Sequence, residues 1–313
     1  MNPALDVSTS TERVVSEHKM RCGVSRLDPG GGGVNVSRVI HRLGGHSFAV
    51  YAVGGPTGEA YRRLIEAEGV PARAVPIAGS TRENFTVAET QTDRQFRFVL
   101  QGPTLGEAEW RACLTALERG MQPGGFVVAS GSLPPGVPDD FYARVAKLAH
   151  DRGAHCIVDS SGAALTAALG HGVFMIKPSR RELSELVGSA LDTEQALTDA
   201  ATELIARGSA EFVALTLGAD GAILASKDGV VRLPAPAIVV DSTVGAGDSF
   251  VGGLILRLAQ GWSPEAAFVT AVAAGSATSM LPATELCTPH DVTRLEEELF
   301  ALGVGGIARD PRE

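Results

Sequence analysis

The residues best suited to do chemistry stand in one short run, Asp241-Ser-Thr-Val-Gly-Ala-Gly-Asp248-Ser-Phe-Val-Gly-Gly253. Gly245 and Gly247 permit close backbone approach. The helix predicted over 249–260 would offer free N–H groups to an anion at its start. A carboxylate at such a place is odd if the site only binds phosphate. It makes sense as a base that takes a proton from a hydroxyl while backbone amides hold the phosphoryl group. Phosphoryl transfer is mostly positioning and charge stabilisation, with a base orienting the nucleophile. The competing reading of Asp248 is a helix cap after a glycine turn.

The elements around this run set its frame. From about Gly44 onward, short apolar runs alternate with helix-like segments. Strands are predicted near 48–53, 125–129, 156–158, 174–176 and 212–217, and helices near 57–68 and 139–152. That rhythm argues an α/β fold: a mostly parallel central sheet with helices on both faces. Two stretches break it. Residues 84–100 alternate apolar and polar side chains at Phe96, Phe98 and Leu100 around a turn near Thr92-Asp93, which is hairpin patterning. Residues 7–24 also look extended. Together they predict a small separate β-sheet, a lid formed from about 7–24 and 82–102. Its apolar face must cover a site or meet a second subunit. No repeat or interdomain linker is visible, so residues 1–313 read as one domain, with a fraying end over 303–313.

Composition excludes several classes. With Lys+Arg 27 against Asp+Glu 36, the net charge is −9, and no basic stripe suggests nucleic acid. No apolar run reaches the ~20 residues of a membrane-spanning helix, and the start at Met1 shows no signal sequence. Cys22, Cys113, Cys156 and Cys287 are far apart, as in a reduced cytoplasmic protein.

Thr243-Val-Gly-Ala-Gly-Asp248 resembles the C-terminal signature of the pfkB, ribokinase-like carbohydrate kinases. Pro29-Gly-Gly-Gly-Gly33-Val-Asn35-Val-Ser-Arg38, with Leu43-Gly44-Gly45 beyond, resembles the N-terminal one. The likeness covers nearly the whole chain. It implies a ribokinase-like fold, ATP as phosphoryl donor, Mg²⁺, and a cytoplasmic homodimer formed through the lid. It also implies roles. Asp248 would be the base, with Gly245, Ala246 and Gly247 as the anion hole. Asp6, Gly31, Gly32 and Asn35 would bind sugar hydroxyls, and Ser132 matches a further substrate contact. Lys19, Arg21, Arg82 and Arg97 would hold the sugar phosphate, Arg through its planar fork; the bland reading of each is a solvated surface charge. Thr216, Gly218 and Gly221 resemble the nucleotide segment, and Lys177 could reach the ATP phosphates. Val272 and Ser276 would line the adenine pocket, unless they are ordinary core.

Three departures from the family pattern matter. Where the family carries Asn-x-x-Glu, this chain reads Ser179-Arg-Arg-Glu182. Glu182 would still help order Mg²⁺ through water, with an altered Mg²⁺ dependence. The strand that usually precedes Asn2-Pro-Ala-Leu-Asp6 is missing from this sequence. Its loss would bare sheet edges and leave Asp6 poorly anchored, and the expectation is that the true start lies upstream. Pro282 and Glu285 put a family K⁺ site in doubt. The four glycines Gly30 to Gly33 favour fructose 6-phosphate as acceptor among phosphorylated ketohexoses. Fructose 1-phosphate and tagatose 6-phosphate are the alternatives, and a non-catalytic sugar-phosphate sensor is the reading from a different class.

Overall fold

Residues 1–302 are described here from a computed structural model; the predicted fraying end lies outside them. The chain opens with β1 (Ala4–Thr11), β2 (Arg26–Gly30), α1 (Gly32–Arg42), β3 (Ala49–Val53), α2 (Gly55–Ala67) and β4 (Ala72–Pro76). The hairpin β5 (Arg82–Glu89) and β6 (Arg94–Val99) follows, then α3 (Glu107–Gly120), β7 (Phe126–Ser130), α4 (Phe141–Asp151), β8 (His155–Asp159), α5 (Gly162–Leu169) and β9 (Val173–Ile176). The last part runs through α6 (Arg180–Val187), α7 (Glu194–Ala206), β10 (Ala210–Thr216), β11 (Ala222–Ser226), β12 (Gly229–Leu233), α8 (Ala246–Ala259), α9 (Pro264–Ser279) and α10 (Pro289–Ala301).

Six strands form the main sheet in the order β12-β11-β10-β9-β8-β7. The pairs from β7 to β10 are parallel, and β11 and β12 add an antiparallel edge. Strand periodicity explains why both faces need covering. Cys156 and Val158 point into one apolar cluster with α3 to α7. Ile157 between them points into the other, with α1, α8, α9 and α10. The middle of each parallel strand is therefore apolar on both faces, as a sheet buried on both sides requires.

The expected single central sheet is divided. β3 and β4 pair in parallel as a separate two-stranded sheet. A groove of about 690 Å³ lies between β3 and β7, lined by Ala49, Val50, Phe126 and Val127 among others. β3 and β7 each end a sheet beside this groove. Asp6 is nonetheless firmly held, against expectation. β1 pairs with β2 on one side and β5 on the other, and Asn84 Nδ2 donates to Asp6 Oδ1 at 2.9 Å.

The lid is a four-stranded sheet, order β2-β1-β5-β6. Its first half differs from the expected continuous stretch over 7–24. Strand structure covers 4–11 and 26–30, and 12–25 is a loop. The polar β-branched residues that suggested an extended stretch end at Thr11. Register sorts the two faces, because directly paired residues share one. Leu27, Val7, Phe85 and Phe98 form one row across all four strands, while Asp28, Asp6 and Asn84 belong to the neighbouring row on the opposite face. The apolar row is left outward, with Phe98 52% exposed and Leu27 45% exposed.

Candidate active site

Asp248 sits in the first turn of α8, whose N-cap Gly245 has φ 77°, a left-handed conformation that a side chain disfavours. A methyl at Gly245 would also stand 2.7 Å from Leu286 Cδ2. The N–H groups of that first turn lack helical acceptors; that of Ala246 donates to the Thr243 carbonyl at 3.4 Å. Asn35 Nδ2 from α1 donates to Asp248 Oδ2 at 2.8 Å. Lys177, 8% exposed at the end of β9, pairs with Asp159 at 3.0 Å. Its ammonium also lies against the helix start, since a methyl at Gly247 would be 3.3 Å from Lys177 Nζ. Burial pushes the Asp248 carboxyl up to about 7, helped by the negative charges of Asp159 and Asp6 and opposed by the Asn35 hydrogen bond and Lys177. Lys177 itself is raised, because the pull of Asp159, Glu182 and Asp248 overcomes its own desolvation. A carboxyl poised near neutrality beside a fixed cation and free amides is equipped to accept a proton while new negative charge is stabilised.

The lid and the glycine-rich loop close one side. Gly31, with φ 122°, packs on Pro3 at the start of α1, and Gly32 opens α1 against Ser130. Asp6 presses on Gly30 so closely that a methyl there would collide with its carboxylate. Burial raises the Asp6 pKa, while Asn84, Arg82 and Arg97 act to lower it. Arg82 donates to the Leu100 carbonyl at 2.8 Å and the Asn2 carbonyl at 3.0 Å. Its Nε is buried with no hydrogen-bond partner. Ser132 accepts from Asn2 Nδ2 at 3.2 Å. Arg97 is exposed on β6, while Lys19 and Arg21 are exposed on the 12–25 loop, outside the strands.

The other side lies at the carboxyl ends of β9 and β10. Thr216 donates its N–H to the Pro178 carbonyl at 3.0 Å, tying the Lys177 turn to β10. Gly218 and Gly221 flank the 3-10 turn Gly218–Asp220, both with positive φ. Glu182 is folded back on its own helix. Its Oε2 accepts from Ser179 N and Ser179 Oγ, each at 2.8 Å, and Ser179 Oγ accepts from Glu182 N at 3.3 Å, a reciprocal capping box. Ser276 is half-buried on α9. Val272 is 5% exposed and belongs to the core cluster around α8, which favours its packing role.

Two site residues were missed from the sequence. Asp159 sits at the end of β8, the usual place for functional groups in open α/β sheets; a lone Asp after Cys156-Ile-Val158 was the available signal. Asn84 was visible only as part of a hairpin, and β1–β5 pairing is what brings it to Asp6.

Strands ending at a common edge, a helix N-terminus bearing a carboxylate, a buried lysine and a β-sheet lid define a phosphotransferase of the ribokinase-like fold. The chain belongs to the pfkB family of carbohydrate kinases, whose profile, "pfkB family carbohydrate kinase", matches residues 4–291. It is 47% identical over 297 residues, 95% of this chain and 87% of the relative, to a Mycobacterium tuberculosis protein called ATP-dependent 6-phosphofructokinase isozyme 2. The Escherichia coli protein of the same description is 39% identical over 94% of this chain and 95% of its own. A crystal structure of phosphofructokinase-2 from Escherichia coli in complex with substrates and products superposes with a TM-score of 0.92, at 38% identity, covering 96% of this chain and 97% of that one.

Proposed function

We propose that this chain transfers the γ-phosphoryl group of ATP to the C1 hydroxyl of fructose 6-phosphate, giving fructose 1,6-bisphosphate and ADP. The carrying observation is the placement of Asp248 between Asn35 and Lys177 at the start of α8. The 47% identity to a 6-phosphofructokinase supports the choice of acceptor.

Asp248 takes the hydroxyl proton as the sugar oxygen bonds to the γ-phosphorus and the bond to the β-phosphate oxygen breaks. The first-turn amides of α8 and the Lys177 ammonium hold the charge spreading over the transferred group. Asp6 accepts from sugar hydroxyls while Asn84 holds it in place, and Arg82 and Arg97 supply positive charge for the 6-phosphate. The lid over this face excludes water from the transfer.

Mg²⁺ would neutralise phosphate charge. The residues fit a loosely held, water-bridged ion. No cluster of three or more His, Cys, Asp or Glu that could cage a metal occurs among the described residues, and Mg²⁺ in kinases is usually held by one or two carboxylates plus phosphates. Glu182, with Oε2 taken by Ser179, would act through water. A K⁺ site on the 279–285 segment fits less well. The Ser279 carbonyl accepts from Asp241 and Ser242 N–H, the Ala283 carbonyl accepts from Ser242 Oγ, and Glu285 pairs with Arg26. The outward apolar row of the lid supports a homodimer that buries it. No helix among the described residues is long and apolar enough to cross a membrane, and the working compartment proposed is the cytoplasm.

A coupled assay with ATP, Mg²⁺ and each of fructose 6-phosphate, fructose 1-phosphate and tagatose 6-phosphate tests the acceptor. The highest kcat/KM is expected for fructose 6-phosphate; a higher value for either other sugar replaces it, and no turnover with any of the three returns the chain to a sensor.

A further inference from the structure

Arg38 is 1% exposed, and nothing in the transfer step described above uses it. Its Nε donates to both carboxylate oxygens of Glu68, at 3.0 and 2.9 Å. Its Nη1 donates to the Pro29 carbonyl at 2.9 Å and to Asn35 Oδ1 at 3.0 Å. A guanidinium has only donors, and an amide has one acceptor end and one donor end. With Oδ1 taken by Arg38, the end of Asn35 that faces Asp248 must be Nδ2, as found at 2.8 Å. A flipped amide would set Oδ1 against the Asp248 carboxylate and N–H groups against the guanidinium, which is unfavourable at both ends. Glu68, just past the end of α2, fixes the guanidinium from a third element, and Asp28 lies 3.9 Å from Nη2.

We propose that Arg38 is a positioning residue for phosphoryl transfer: it fixes the Asn35 amide so that Nδ2 donates to Asp248 and keeps that side chain aimed at the acceptor hydroxyl. The effect on rate rests on the reading of Asp248 as the base; the orientation of Asn35 does not. The groups facing Asp248 are Asn35 from α1, Asp159 from β8, Lys177 after β9 and Asp6 from β1. Of these, Asn35 and Lys177 favour the ionised form and the two aspartates oppose it. Losing the Asn35 hydrogen bond therefore makes Asp248 hold its proton to higher pH.

The test compares the wild type with Arg38→Met/Glu68→Met, which removes both partners of the buried pair, and with Glu68→Gln, which loosens the guanidinium from a part-exposed position. Carbon-13 NMR of the Asp248 carboxyl gives its titration midpoint without relying on activity, and kcat/KM against pH gives the acid limb. In the double variant both are expected to rise by about one pH unit, the scale of one charge-assisted hydrogen bond, with kcat at pH 7 down about fivefold and both KM values nearly unchanged. Glu68→Gln shifts the same way by less. In an Asn35→Ala background the double variant should add almost nothing. An unmoved midpoint in every folded variant, or an equal shift without Asn35, overturns the proposal. If Asp248→Asn keeps its activity, the base reading fails, and the NMR midpoint still decides the role of Arg38.

Discussion

On the proposed reading, both chemistry and pH behaviour turn on Asp248. A base must be ionised to act, so kcat/KM is expected to fall about tenfold per pH unit below about 7, the value to which burial pushes this carboxyl. Asp248→Asn should lower kcat by roughly 10²–10⁴-fold with modest change in KM; a sensor would barely notice the substitution. The same carboxyl affects stability with a definite sign. Its folded-state pKa lies above the ordinary 3.8, so the folded chain binds the proton more tightly than the unfolded one. Stability from this group is fully present below about pH 4 and is lost as pH rises through about 7, by at most about 4 kcal/mol. Asp248→Asn should therefore melt higher than the wild type at pH 8, and the gap should narrow at pH 5 and close only below about pH 4. A constant gap measured by thermal melting across that range would show that Asp248 carries no such cost.

The start of α6 shows how a local element can tune a site. Ser179 caps the helix and engages Glu182 through both its backbone and its hydroxyl. Asn caps a helix about as well as Ser, so Ser179→Asn should leave the melting temperature within a degree or two. Its side chain is one atom longer than that of serine and carries both a donor and an acceptor. The Mg²⁺ concentration for half-maximal rate should fall about three- to tenfold, the worth of one hydrogen bond. An unchanged Mg²⁺ titration would reject a role for this position in ordering the metal.

Across the whole molecule, the proposed reading makes the lid the link between the sugar side of the site and assembly. Alternation along four strands turns Asp6 and Asn84 to one face and Leu27, Val7, Phe85 and Phe98 to the other. An outward apolar row of this kind is buried when two lids meet. Phe85→Glu/Phe98→Glu is expected to convert a dimer to a monomer in sedimentation velocity and to raise the KM for the sugar phosphate, since the lid loses its backing. A wild type that is monomeric at micromolar concentration with full activity would remove the dimer from the account.

Local pattern was enough to determine much of this protein. Apolar runs bounded by glycine and proline reported β7 to β10, because a strand buried on both faces has to be apolar throughout. The glycine-rich turns before α1 and α8 marked both halves of the site, because few other residues adopt those backbone angles or permit that approach. Tertiary structure decided what depends on distant partners. Sequence periodicity carries no information about which strands pair, so the bond from Asn84 to Asp6, the ion pair from Asp159 to Lys177 and the separation of β3 from β7 emerged only from the folded chain. The upward shift of Asp248 was equally invisible, since it comes from burial and from the negative charges of Asp159 and Asp6 on two other elements.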